Sequence, residues 1–307
     1  MAHPSTYLGW KIDYAHPLGE PALLDPGSVH WRVYKNPIAL AVGGVAAVLL
    51  EFAEPRIRSG VWDHSTFKSD PLGRARRTGT AALIGVYGPV SAARRVIQGV
   101  NNMHARVSGE TPDGEAYRAL DPDLLNWVAA TAVYGFVTAY DRFVEPLSEA
   151  EKNRFYEEAA LVAHLYGATV SPGSEAEFMA MLQALAPRFE PHPIVDEFLQ
   201  TIASGQAAPV VPRPLHRALA RAAVSLLPPP VRRTLALGRE HDLSLAEGLA
   251  LKAAGRLADK IAIRSSPPCQ ASVRLGLPHD FLYRGEAERR RLLLLAASRH
   301  RLLAAGK

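Results

Sequence analysis

Apolar positions along the chain recur at helical spacing, and alternating strand patterns are nearly absent. Pro37 to Leu50 is apolar almost throughout, interrupted only by Gly43 and Gly44. That run is too short to span a bilayer and suits a buried core helix. Asp70-Pro71 supplies an N-cap and a first-turn proline for a helix that should stop at Gly88. Pro89 opens another, expected to end at Gly109, and Asp121-Pro122 opens a third, closed by Pro146. Ser148 with Glu151 forms a capping box for a helix ending at Gly167, and Ser174/Glu177 and Ser244/Glu247 repeat that signal. The β-branched run 208–211 is short and broken by proline.

These signals predict an all-α fold of about nine to twelve helices in a single large domain. Residues 1–36 read as an irregular N-terminal segment, 37–205 as the helical core, and 206–307 as C-terminal helices packing on the same domain. The prolines of 204–214 mark a linker or surface loop, and Pro228 to Pro230 and Ser265 to Pro268 mark further breaks.

Composition narrows the class. A chain of 307 residues with 48% hydrophobic and 21% charged residues is an ordinary globular protein. Its net charge of +5 is spread along the chain without an aromatic-interleaved basic motif, so no nucleic-acid partner is expected. The single cysteine, Cys269, excludes an internal disulfide and fits a reducing compartment. The N-terminus lacks a basic start followed by an apolar run, so a cytoplasmic protein without an integral membrane segment is expected. The sequence leaves room for a homodimer.

Candidate chemistry gathers between residues 37 and 145. His104 shares a helical stripe with Ile97, Val100 and Val107 and so faces the core. There it is either a hydrogen-bonded core histidine or a metal ligand. Arg74, Arg77, Thr78 and Ala81 fall on one face of the preceding helix. Cations in its first two turns gain nothing from the helix dipole, so they either meet a bound anion or face water. The stretch Val61-Trp62-Asp63-His64-Ser65 reads as a loop whose aromatic, carboxylate and imidazole either build a polar pocket or cap a turn.

Several chemistries lack their residues. There is no His-Glu-x-x-His, no pair of Glu-x-x-His motifs, no phosphate-binding glycine loop and no Gly-x-Ser-x-Gly elbow. With one cysteine, covalent c-type haem is impossible, and Cys269 lacks the glycine-rich loop of a thiolate ligand. Any bound iron must therefore be held by histidine.

The order and spacing of several blocks resemble one family. They are Leu49-Leu50-Glu51-Phe52-Ala53-Glu54-Pro55, Gly60-Val61-Trp62-Asp63-His64-Ser65-Thr66-Phe67, Asp70-Pro71 and Arg74-Ala75-Arg76-Arg77-Thr78. Met103-His104-Ala105-Arg106-Val107-Ser108-Gly109, Tyr117, Asp121-Pro122 and Trp127-Val128-Ala129-Ala130-Thr131 follow. Over about residues 37 to 205 the chain is similar to the rubber oxygenase (latex clearing protein) and mycophenolic-acid pathway (MpaB-type) oxygenase group.

The resemblance implies a globin-like helical core holding haem b, with His104 as iron ligand and its other ring nitrogen anchored by a carbonyl or carboxylate. It places Arg74, Arg77, Thr78 and His64 around the cofactor, and Arg77, Thr78 and Asp63 as catalytic candidates. Where the rubber oxygenases carry a lysine that can approach the iron, this chain has Arg77, whose guanidinium has no lone pair to offer. The distal position is then open or water-filled. Glu51, Glu54 and Asp63 are the candidates for the acid/base residue. The implied activity is dioxygen chemistry on a small hydrophobic, alkene, lipid or terpenoid-like substrate. The alternative is a helical protein that binds haem or an apolar ligand without catalysis.

Overall fold

The computed structural model describes residues 6–7, 10–207 and 213–305. Two short strands, β1 (Thr6–Tyr7) and β2 (Trp10–Lys11), pair antiparallel, and irregular chain leads to α1 (Val29–Tyr34). Then come α2 (Pro37–Phe52), α3 (Pro55–His64), α4 (Pro71–Tyr87) and α5 (Val90–His104). A hairpin of β3 (Ser108–Glu110) and β4 (Ala116–Arg118) precedes α6 (Pro122–Phe143), α7 (Glu149–Leu165), α8 (Glu175–Leu185) and α9 (Pro193–Ser204). The chain continues through α10 (Arg213–Leu226), α11 (Pro229–Thr234), α12 (Leu245–Ala258), α13 (Pro267–Arg274) and α14 (Glu286–Ala305).

The fold is all-α. Fourteen α-helices lie among the described residues, more than the nine to twelve expected, because short proline-capped helices escape the periodicity test. Residues 208–212, within the predicted linker, lie outside the described residues.

Local chemistry explains the starts. Asn36 caps α2 by accepting from the Ile38 and Ala39 amides, with Pro37 at the first helical position. Asp70 and Asp121 cap α4 and α6 in the same way, and Ser148 and Ser244 form full capping boxes with Glu151 and Glu247. Two expectations are corrected. Val61 to His64 are the last turn of α3 rather than a loop, since Glu54 caps that helix through the Ile57 amide. Also, α5 ends at His104 rather than Gly109, because the chain turns directly into the β3–β4 hairpin.

The centre is the antiparallel pair α2 and α6. Gly43 and Gly135 meet backbone to backbone where they cross. A Cβ on Gly135 would stand 2.4 Å from the Gly43 carbonyl oxygen, and one on Gly43 2.7 Å from that of Gly135. Around this crossing the main core takes in Leu49, Leu50, Trp127, Tyr134, Phe178 and Phe198. The Trp127 indole nitrogen donates to the Leu50 carbonyl at 3.1 Å. Helices α10 and α12 pack on α2, and α12 is tied further by Lys35, whose ammonium sits 2.8 Å from the Asp259 carboxylate. A second core gathers Trp31, Ile84, Val86, Tyr87, Val96 and Phe281, where α4 and α5 meet α1 and the C-terminal elements. No single described helix is long and apolar enough to cross a membrane. The bent pair α2 and α3 passes such a test on length and composition, but α2 is the buried core helix of this fold.

Candidate active site

The α2–α6 pair buries one side and leaves another half open. On α2 the half-buried Ala41, Gly44, Val45, Val48 and Glu51 lie at helical spacing along one stripe. On α6 the half-buried Val128, Ala132 and Phe136 form another. The two stripes run side by side. A Cβ on Gly44 would lie 3.8 Å from the Phe136 ring, and at the other end Thr131 donates to Glu51 at 3.4 Å. The result is an apolar floor with a carboxyl group at one end.

Helix α4 is unusual in burial. From Pro71 to Leu83 none of its residues is fully buried, although Leu72, Ala75, Ala81, Ala82 and Leu83 are apolar; only Ile84 to Tyr87 enter the core. It leans on α5, α1 and α13. Arg74 donates to Thr78 one turn along, and Thr78 in turn donates to the Arg74 carbonyl at 3.1 Å.

Arg74 joins the two titratable groups of the site. Glu51 is pushed up to about 7 by burial, against the opposing pull of the Arg74 guanidinium and the Thr131 hydroxyl. His104 is pushed below its ordinary value by burial and by the same Arg74 charge, so its imidazole is neutral near pH 7. His104 Nδ1 is buried with no hydrogen-bond partner, as is the Asn101 side-chain oxygen one turn before it. The expected carbonyl or carboxylate anchor is therefore not found at Nδ1. A neutral imidazole with a buried, unsatisfied nitrogen is suited to a metal centre.

The other predicted residues fall elsewhere. Arg77 is half-exposed and turns to Thr66 and Asp70. Asp63 and His64 are exposed at the end of α3, where His64 Nε2 lies 3.1 Å from the Tyr117 hydroxyl of the hairpin. Glu54 is fully buried but committed: it caps α3 and pairs with Arg56 at 2.7 Å and Arg188 at 3.3 Å. Of the three acid/base candidates, Glu51 feels the Arg74 charge that also acts on His104. Thr131, which sequence reasoning did not single out as a site residue, is fully buried and bonds Glu51. An open surface hollow of about 710 Å³ over the hairpin is lined by Ser108, Glu110, Tyr117 and Asp121, and takes in none of this group.

Among the described residues no three His, Cys, Asp or Glu side chains come together in a group that could hold a metal ion. A metal held in an organic macrocycle needs only one such side chain.

Residues 31–260 match the family described as "ER-bound oxygenase mpaB/B'/Rubber oxygenase, catalytic domain". The chain belongs to this family. The matched span covers Glu51, Arg74, Thr78, His104 and Thr131, and the family is one of oxygenases. Two proteins named only as uncharacterized, from Mycobacterium bovis and Mycobacterium tuberculosis, are each 30% identical over 118 residues. Those alignments cover 37% of this chain and 46% of each relative, so the chain spans about half the length of the curated relatives it matches. No solved structure gives a significant match.

Proposed function

We propose that the chain is a haem b oxygenase that uses dioxygen on a hydrophobic substrate. The observation that carries this reading is the convergence on Arg74 of a neutral, half-buried His104 and a carboxyl group poised near neutrality, beside an apolar floor. Each part suits the group. The His104 imidazole would hold the iron and Arg74 a propionate, with Thr78 fixing the guanidinium. The stripes of α2 and α6 would receive the apolar macrocycle and an apolar substrate. When bound, the haem supplies the iron centre at which dioxygen is activated.

The protein's own part is proton handling and exclusion of water. A carboxyl group titrating near 7 can hold a proton on its oxygen at one stage and release it at another, at little cost in either direction. Thr131 fixes one oxygen of Glu51, and Arg74 limits how far burial raises it. Arg77 cannot ligate iron, and its contacts with Thr66 and Asp70 hold its charge on the outer side of α4.

The test is the visible spectrum of protein made with ample haem, followed by oxygen uptake with alkene and terpenoid substrates. A Soret band and its loss in His104→Ala are expected. A colourless wild type without iron, or a His104→Ala variant that keeps full haem, would overturn the ligand assignment. Haem retention without oxygen uptake would leave a haem-binding protein and refute the oxygenase.

A further inference from the structure

Helix α12 faces the wrong way for a surface helix. Its inner side is narrow: Leu251 is fully buried, and a Cβ on Gly255 would stand 2.4 Å from the Phe143 carbonyl oxygen of α6. Its outer side carries Leu245, Ala246, Leu249, Ala250, Ala253 and Leu257, every one exposed. At 100° per residue these fall within one arc of about 140°. The large members are wide open, with Leu245 at 81%, Leu249 at 60% and Leu257 at 63% exposure. Ile261 and Ile263, just beyond the helix, are exposed by half or more. A soluble domain scatters single apolar residues over its surface but seldom lines up so many.

Within the segment 245–264 the charges are sorted by sign. Both acids of the segment 245–264 turn away and are paired: Glu247 with Arg221 at 2.9 Å, and Asp259 with the buried Lys35. The cations Arg256, Lys260 and Arg264 are exposed along with the ridge. The geometry points to an anionic lipid bilayer as the occupant of this face. The leucines and isoleucines would enter the boundary between headgroups and acyl chains, with the long basic side chains reaching the lipid phosphates. A two-fold contact between copies is disfavoured, because it would set this cationic face against itself. The surface is separate from the Glu51–Arg74–His104 site, and its docking does not depend on what that site binds.

Vesicle sedimentation of the full chain decides the matter. The probes are vesicles of phosphatidylcholine alone and of phosphatidylcholine mixed with phosphatidylglycerol. Wild type should sediment with the anionic vesicles and release as salt is raised. L249E/L257E should lose roughly tenfold or more in affinity, since two leucines that would enter the lipid are exchanged for charges. K260E/R264E should lose the preference for anionic over neutral vesicles. All four positions are exposed, so thermal melts of the variants should match wild type. Wild type that stays in the supernatant, or L249E/L257E that sediments like wild type, would overturn the proposal. So would a wild-type dimer in solution that L249E/L257E converts to monomer, which would assign the face to a second copy.

Discussion

Replacing Glu51 by glutamine tests the electrostatics of the site without any cofactor. Burial lifts the Glu51 carboxyl from an ordinary 4.5 to about 7 in the folded protein. The folded state therefore binds a proton more tightly than the unfolded chain, and between these two values it holds more protons. Stability falls with pH wherever that is so. Glu51 thus costs nothing below about pH 4.5, and its cost grows until pH passes about 7, where it levels off. A shift of this size corresponds to about 3 kcal/mol. Water reaching the half-buried carboxyl reduces it to about 2 kcal/mol. Glutamine keeps the shape and the bond from Thr131 and removes the titration. Urea melts at pH 5 and pH 8.5 should therefore show Glu51→Gln close to wild type at the lower pH and more stable by about 2 kcal/mol at the higher. A difference between the two proteins that does not change with pH would refute the burial of an ionising carboxyl at this position.

Other perturbations probe the frame around the site. Gly135→Ala drives a methyl group into the Gly43 carbonyl at 2.4 Å and should cost about 3 kcal/mol in urea melts; a loss below about 0.5 kcal/mol would mean the crossing is slack. Glu158 accepts from the Val29 amide at 2.9 Å, the His30 amide at 3.3 Å and the His30 ring at 3.1 Å. Glu158→Ala should cost about 2 kcal/mol and speed hydrogen exchange at Val29 and His30, whereas unchanged exchange would show that Ser28 alone holds the start of α1. Loss of the Soret band is expected in His104→Ala, and loss of vesicle binding in L249E/L257E.

Much of the helical frame was legible because its signals are local. Asp70-Pro71, Asp121-Pro122 and the Ser148–Glu151 box each satisfy a helix end within a few residues, and the structure uses all three. The stripe through Val100 and His104 likewise gave the inward turn of the imidazole. What stayed hidden depends on contacts far apart in the chain. Thr131 meets Glu51 only because α6 folds back along α2, 80 residues away. Glu54 resembles a free acid in sequence, but the fold brings Arg188 to it from 134 residues on. The end of α3 looks like a loop in sequence because its cap is a glutamate rather than the usual serine, threonine or aspartate. Arg77 shares a helix face with Arg74 in sequence, yet nearby Thr66 and Asp70 draw it aside.

The glycine crossing of α2 and α6 acts as a gauge. With Gly43 and Gly135 in backbone contact, the separation of these helices is fixed by peptide geometry and is independent of the side chains further along. A larger residue at Val45, Val48, Val128 or Ala132 cannot be absorbed by spreading the pair, so it projects further from the half-buried stripes. An apolar guest of the kind proposed above would therefore find its room set by those four positions.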